Sequence, residues 1–477
     1  MRALVIGICA LAFAACGGGA SDKAGGKQEV KATVLTFANG DTETRHLDDY
    51  VETVERLSGG TLRIEFTNAW RLGEKDYEAG LIGDVAAGKA DLGWAGSRAF
   101  GGTALDALGA PLLIQSYAHE RAVLESPLAE TLARAVQSRG VVGLGILPGP
   151  LRRPLASGPL AHPRDFAGVT LAAQRSSIAE HTLGVLGGRT AEIPVEGAID
   201  RYDGVEQHVI SMATNTYDRA APYLAANVNL WPRPIVIFAN PTTLDELTER
   251  QRVALRDAPS EVIDDVVEIL QVDDAEGATA LCRRGVTFVT ASDADLAALR
   301  RAVRPVYARL QRDPDTRRAI GQIEGLRQAD SGPDAPECSR PGQLAGAGQP
   351  TPLDGVWTLE TTREQLASVV PTEGDIVPEN YGSWRFVLRR GKLRYTQSNG
   401  DAERWTTADY TVQGNTLTFT VTGYGGEAPT NSAEKTGEEF SFSWSLYRDR
   451  LTLKPVEGKI SPEPFLARAW TRVGDAP

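Results

Sequence analysis

Histidine and cysteine are scarce in this chain, with five of the first and four of the second in 477 residues. The histidines, at 46, 119, 162, 181 and 208, are nowhere spaced as a zinc pair, so neither a metal site nor any other cofactor is expected. A Gly-x-x-x-x-Gly-Lys phosphate loop and the Gly-x-Ser-x-Gly turn of serine hydrolases are missing too. Gly143-Leu-Gly145-Ile-Leu-Pro-Gly149 does not replace them as a dinucleotide loop. Its glycine spacing is wrong, and Pro148 and Pro150 block the helix that would face a pyrophosphate. These absences point away from an enzyme. Positive charge is in deficit, with 50 Lys and Arg against 62 Asp and Glu and a net charge of -12. A nucleic-acid partner is therefore excluded, because it needs a basic face. No apolar run spans a bilayer: the opening MRALVIGICALAFAAC has one Arg and then a run too short for that. It reads as a secretory signal, residues 1–15.

Small residues just before Cys16 resemble the lipobox of bacterial lipoproteins, in which that cysteine carries the lipid, although Phe13 stands where the box has Leu. The alternative is an ordinary signal peptide cut nearby. Residues 16–31, with Gly-Gly-Gly-Ala-Ser-Asp-Lys after the cysteine, are a flexible tether. Cys9 lies inside the signal, so Cys282 and Cys338 remain for the folded body. Outside the cell two leftover thiols usually pair, which predicts a Cys282–Cys338 disulfide; the alternative is two separate thiols.

What the chain does contain is a globular composition, 42% hydrophobic and 23% charged, long enough for two to three folding units. Short apolar strands alternate with amphipathic helices: strand 32–38, helix 46–57, strand 62–66, helix 77–87, strand 90–94. A helix over 123–140 and a strand over 141–146 follow. The stretch from His162 to Ala213 repeats the rhythm, with a strand from Val169, a helix from Ser176, a strand at 191–194, a helical turn at Ala198-Ile199 and a strand over 205–212. This is the pattern of parallel sheets with crossover helices, an α/β fold. Ligands in such sheets sit beyond the carboxyl ends of strands, which places Gln174, Arg175 and Asn215 at one rim. Gly143 to Gly149 would be a hinge crossing between lobes. The strand 235–239 returns to the first lobe. A Thr243–Glu246 capping box starts a helix that breaks at Pro259, and Ser292 with Asp295 caps a last helix running to Leu310.

Residues 330–352, rich in Pro, Gly, Ala and Ser, are a linker. Beyond them eight short strands recur between 355 and 472, separated by turns such as Arg390-Gly391 and Gln413-Gly414-Asn415. They predict a small antiparallel β-barrel over 353–477. Gly355-Val-Trp357 and Trp470-x-Arg472 resemble lipocalin-like barrels.

Gly168, Gly187, Pro194, Ala198, Asp203, Gly204 and Glu206 match, in order, the pattern of one family. Gly88, Asp91 and Gly93, then Leu108, Pro111 and Leu112, match it further upstream. The chain resembles the solute-binding proteins of TRAP-type transporters, the dicarboxylate-binding-protein-like family, over roughly 34–328. The resemblance implies a two-lobed, periplasmic-binding-protein-like fold over 32–329. It implies capture of a small organic acid between lobes that close by a hinge, and delivery to TRAP-type membrane permease subunits. A planar guanidinium suits this task because it meets both carboxylate oxygens at once.

The family's ligand-facing arginine after the strand falls here on Ala172. Arg153, and beyond Ala172 also Gln174 and Arg175, are the candidates to replace it. Asn215 matches a ligand-bonding family position. Trp94, Trp231 and Asn39 join the candidate set, and Arg71 and Arg98 stand behind it. Asp203 and Glu206 are expected to fix their loop. Three other readings compete: a sensor or scavenger without a permease, a barrel that binds lipid or cell wall, and, last, a hydrolase.

Overall fold

The computed structural model describes residues 32–42, 44, 47–193, 199–327, 332–338, 350–362, 381–399, 403–426, 436–447, 449–456, 463–466 and 469–475. The signal, Cys16, the tether and Ala198 lie outside these residues, as does most of the linker.

Alternation of apolar strands and helices yields two sheets. The first has the order Leu62–Thr67, Thr33–Ala38, Leu92–Gly96, Ile235–Ala239, Val142–Leu147. Its early strands are parallel, and Ile235–Ala239 inserts antiparallel between Leu92–Gly96 and Val142–Leu147. Helix Asp48–Ser58 buries Tyr50 and Val54 on this sheet and ends at left-handed Gly59. The second sheet has the order Thr287–Val289, Tyr223–Ala225, Leu151–Ala156, Gly204–Gln207, Thr170–Ala173, Arg189–Glu192, with Trp231–Pro232 paired to Leu151–Ala156 off this path.

Two chain crossings join the lobes, at 148–150 and at 233–234. They touch backbone to backbone: Arg233 N donates to Pro150 O at 3.1 Å, and a Cβ on Gly149 would lie 1.6 Å from Arg233 O. Only glycine permits that approach. Helix Ile263–Arg283 also bridges the lobes. Val266 and Leu270 enter the first core, and Ala278 and Leu281 enter the core beneath the second sheet.

Several predicted elements differ. The strand over 205–212 ends at Gln207, and Val209–Thr214 is helical because Val209, Met212 and Ala213 share one buried face. The helix over 123–140 breaks at Ser126-Pro127 into Tyr117–Leu124, Leu128–Arg134 and a tight turn Ala135–Arg139. Asn240 caps Pro241–Glu246, and the capping box is Thr248 with Gln251, opening Glu249–Glu261, which contains Pro259. The last helix splits at Val303 into Asp293–Ala302 and Arg304–Leu310, where Pro305 enters the first turn.

Cys282, near the end of the bridging helix, is bonded to Cys338 with Cα atoms 5.3 Å apart. The strap before Cys338 lies on the body. Asp334 accepts from Tyr117 N at 2.7 Å through Oδ2 and from Asn229 Nδ2 at 2.9 Å through its carbonyl.

The eight tail strands close into an antiparallel barrel in sequence order, the last pairing with the first. Its interior is filled by side chains. Trp357, Phe386, Phe419, Phe442 and Trp470 are buried, and Phe465, from the turn Glu463–Leu466, stacks edge-on to Phe386 with centroids 5.0 Å apart. Arg283 donates to Gln413 O at 2.8 Å, and Arg450 pairs with Glu52 at 2.8 Å, so the barrel docks on the body through polar contacts. Among the described residues no helix is long and apolar enough to cross a membrane.

Candidate binding site

A cavity of about 30 Å³ lies between the lobes, lined among others by Arg98, Arg152, Gln174, Glu206, Trp231 and Arg233. That is room for a water or two, so the lobes stand closed.

Strand register decides which arginine faces it. Successive side chains of a strand point to opposite faces. In Leu151–Ala156, Arg152 lies opposite Trp231 and Pro154 lies opposite Glu206, so Arg152, Trp231 and Glu206 share one face. The backbone at Gly204 approaches so closely that a Cβ would sit 2.2 Å from Leu155 O, which holds the Glu206 strand tight against its neighbour. Glu206 accepts from Arg152 Nε, from Arg152 Nη2 at 3.2 Å and from Trp231 Nε1 at 3.0 Å. Burial pushes the Glu206 carboxyl up, against the pull of Arg152 and Trp231.

From the first lobe, Glu78 reaches across to two guanidiniums. It pairs with Arg98, accepts from Arg233 Nη2 at 3.1 Å and from Gly96 N at 3.0 Å. Burial opposes its charge, but Arg98, Arg233 and the Gly96 N–H outweigh burial and hold it below the usual range. Arg233 lies over the Trp94 ring, 5.0 Å from its centroid, and Trp94 Nε1 donates to Asn39 Oδ1 at 2.7 Å. Trp94 and Asn39 thus support a cavity arginine from behind. Two buried donors, Arg152 Nη1 and Arg233 Nε, have no partner among the described residues.

Arg98 links the lobes, donating through Nε to Gln174 Oε1 at 3.0 Å and through Nη1 to Arg175 O at 3.0 Å. Nearby, half-exposed Arg175 pairs with Asp76 of the first lobe at 3.0 Å and with Glu192 of the second at 2.7 Å.

The sequence-chosen residues divide accordingly. Gln174 and Trp231 line the cavity. Arg153 does not: its fully buried guanidinium turns to the other face and pairs with Asp274 at 2.9 Å. Arg175 is held outside by its ion pairs. Asn215 is exposed at the end of helix Val209–Thr214, donating to Ser211 O at 2.9 Å. Asp203 fixes its loop by accepting from Thr170 N at 2.8 Å, whereas Glu206 turns into the cavity wall. Arg71 pairs with Asp84, bonding at 2.5 Å. Sequence reading missed Arg152, Arg233 and Glu78. Strand parity with Trp231 is the signal that would have found Arg152.

Residues 34–313, more than half of the chain, match the description "Bacterial extracellular solute-binding protein, family 7". The chain belongs to this family. No curated protein matches it. Among solved structures, a similar fold recurs at low identity. A TRAP periplasmic solute-binding protein of Ochrobactrum anthropi, its C-terminus bound in its ligand pocket, aligns with TM-score 0.56 at 18% identity over 62% of this chain and 95% of its own. One from Xanthobacter autotrophicus Py2, with bound β-D-galacturonate, aligns with TM-score 0.55 at 20% identity over 61% and 100%. One from Roseobacter denitrificans, with bound β-D-glucuronate, aligns with TM-score 0.55 at 20% identity over 62% and 100%.

Proposed function

We propose that the chain captures a small organic acid of the sugar-acid class between its lobes and delivers it to a TRAP-type membrane permease. One observation carries this: an inter-lobe cavity walled by three guanidiniums, two of which keep buried N–H donors without a partner among the described residues. Buried donors left unmatched are costly, and a ligand carboxylate is the acceptor that suits them. The galacturonate and glucuronate bound by the Xanthobacter and Roseobacter proteins support the ligand class. Arg152 takes the role that sequence reading gave to Arg153, with Arg98, Gln174, Trp231 and Arg233 around it. The cavity is far smaller than a sugar acid, so entry requires the lobes to part by a hinge at the two crossings.

In the same proposal residues 1–15 are a signal peptide, Cys16 carries the lipid, 16–31 tether the protein to the outer face of the cell membrane, 32–329 bind, 330–352 link and 353–477 form the barrel. The filled barrel interior opposes a lipid-carrying role for that domain.

Thermal denaturation with glucuronate and galacturonate tests the reading. A ligand at a hundred times its dissociation constant adds about 2.7 kcal/mol to stability. The double variant Arg152→Gln/Glu206→Gln, which strands no buried charge, should lose that gain. A shift that survives in the double variant removes Arg152 from the site, and no shift with any organic acid rejects the function.

A further inference from the structure

We propose that the cleft accepts a ligand with a single carboxylate and disfavours one with two, and that Glu78 sets this limit. The inference rests on the acid-binding function proposed above and names its ligand more narrowly. It follows from a charge count. Three guanidiniums border the cavity, those of Arg98, Arg152 and Arg233. Two carboxylates touch them. Glu206 is committed to Arg152, and Glu78 is shared between Arg98 and Arg233. Three cations against two touching anions leave one positive charge; Asp41 acts on Arg233 too, but from an exposed position and without contact.

Asp106 also borders the cavity but belongs to another neighbourhood. Its Oδ2 accepts from Gly102 N at 2.9 Å, and its charged neighbours are Arg139, Arg309 and Asp313. The unmatched donors agree with the charge surplus. Arg152 Nη1 and Arg233 Nε are two donor nitrogens without a partner among the described residues, enough for the two oxygens of one carboxylate.

Glu78 cannot swing away to admit a second acid. It is buried, and Arg98, Arg233 and the Gly96 N–H hold it in place. A ligand's second carboxylate would enter a wall already neutralised and face two fixed acids in a medium that screens poorly. The three guanidiniums are by then matched, so the second carboxylate finds no surplus charge, and at an effective dielectric of about 20 one such charge at roughly 8 Å is worth on the order of 30-fold in binding. Hydroxyl groups meet no such penalty, since Glu206 and Gln174 in the cavity wall offer them acceptors. A polyhydroxy monoacid fits; the corresponding diacid does not.

The test compares glucuronate with glucarate, the same carbon skeleton carrying a second carboxylate, by calorimetry on the whole chain at low salt. Glucuronate should bind on the order of 30-fold more tightly. In Glu78→Gln the surplus rises to two charges, and the gap should narrow at least several-fold. A third ligand, the monoamide of glucarate, removes the charge from the ligand instead of the protein and should recover about tenfold over glucarate even if the variant folds poorly. Equal binding of glucuronate and glucarate, or a preference for glucarate, overturns the proposal while leaving acid capture intact. A gap unchanged in a folded Glu78→Gln overturns the role of Glu78. Binding of none of these acids rejects acid capture, and this proposal with it.

Discussion

Removing Arg153 would strand a carboxylate. Asp274 is held by Arg153 at 2.9 Å and by the Tyr117 hydroxyl at 3.2 Å, and burial pushes it up against their pull. Breaking one side of such a pair is far more damaging than replacing both sides with apolar groups. Arg153→Ala should lower the unfolding free energy by about 3–5 kcal/mol, read from urea melts. Arg153→Met with Asp274→Leu should recover most of it, and a single variant as stable as the parent would deny the pair its structural role. This is the scale at which the site was least legible in the sequence. Arg152-Arg153 offers two guanidiniums on consecutive strand positions, and only the pairing register says which faces which lobe. That register is set by Trp231 and Glu206, far away in the chain. Nothing local in Glu78 or in Arg233, between two prolines, announces that they meet.

Helices and crossings carry a second consequence. Glu120, on the helix Tyr117–Leu124, is buried and accepts from Gly149 N at 2.9 Å, so it ties that helix to the first lobe crossing. Burial pushes its carboxyl up to about 8, outweighing the Gly149 N–H, against 4.5 for a free glutamate. The folded chain therefore keeps a proton that the unfolded chain releases. Its stabilisation is complete below pH 4.5 and is lost as pH rises through about 8. Stability should fall across that window by up to about 1.4 kcal/mol per pH unit from this group. Glu120→Gln should flatten the slope in urea midpoints taken from pH 5 to 8, and identical slopes in both proteins would remove Glu120 from the account. Element type was mostly legible, because the 3.6 and 2.0 periods of apolar residues are local. The exception is instructive: Val209-Ile-Ser-Met212 is β-branched at its start and reads as strand. Burial of Val209, Met212 and Ala213 against the bridging helix decides for a helix, and that contact is not written in the segment itself.

For the molecule as a whole, the division into body and barrel was visible as a change of rhythm. Eight tail strands with tight turns between several of them need no distant information to count, whereas closure depends on the last strand pairing with the first, more than a hundred residues away. What the sequence did not disclose is how the barrel sits. Its aromatic core is its own, and the body's cores contain none of its residues. The described joints are polar and exposed: Arg283 to Gln413 and Thr416, and Arg450 to Glu52 with side chains 44% and 58% exposed. Exposed ion pairs contribute about 0–1 kcal/mol each. The Cys282–Cys338 bond fastens the strap to the body before the barrel begins, so the strap stays in place without it. A chain ending at Pro352 should therefore keep its disulfide and bind glucuronate with a dissociation constant within about threefold of the full chain's, since distant sites act independently. Calorimetry of the two chains side by side decides the point. A truncated chain that folds, oxidises fully and yet binds tenfold more weakly would make the barrel part of the binding machinery and not an appended domain.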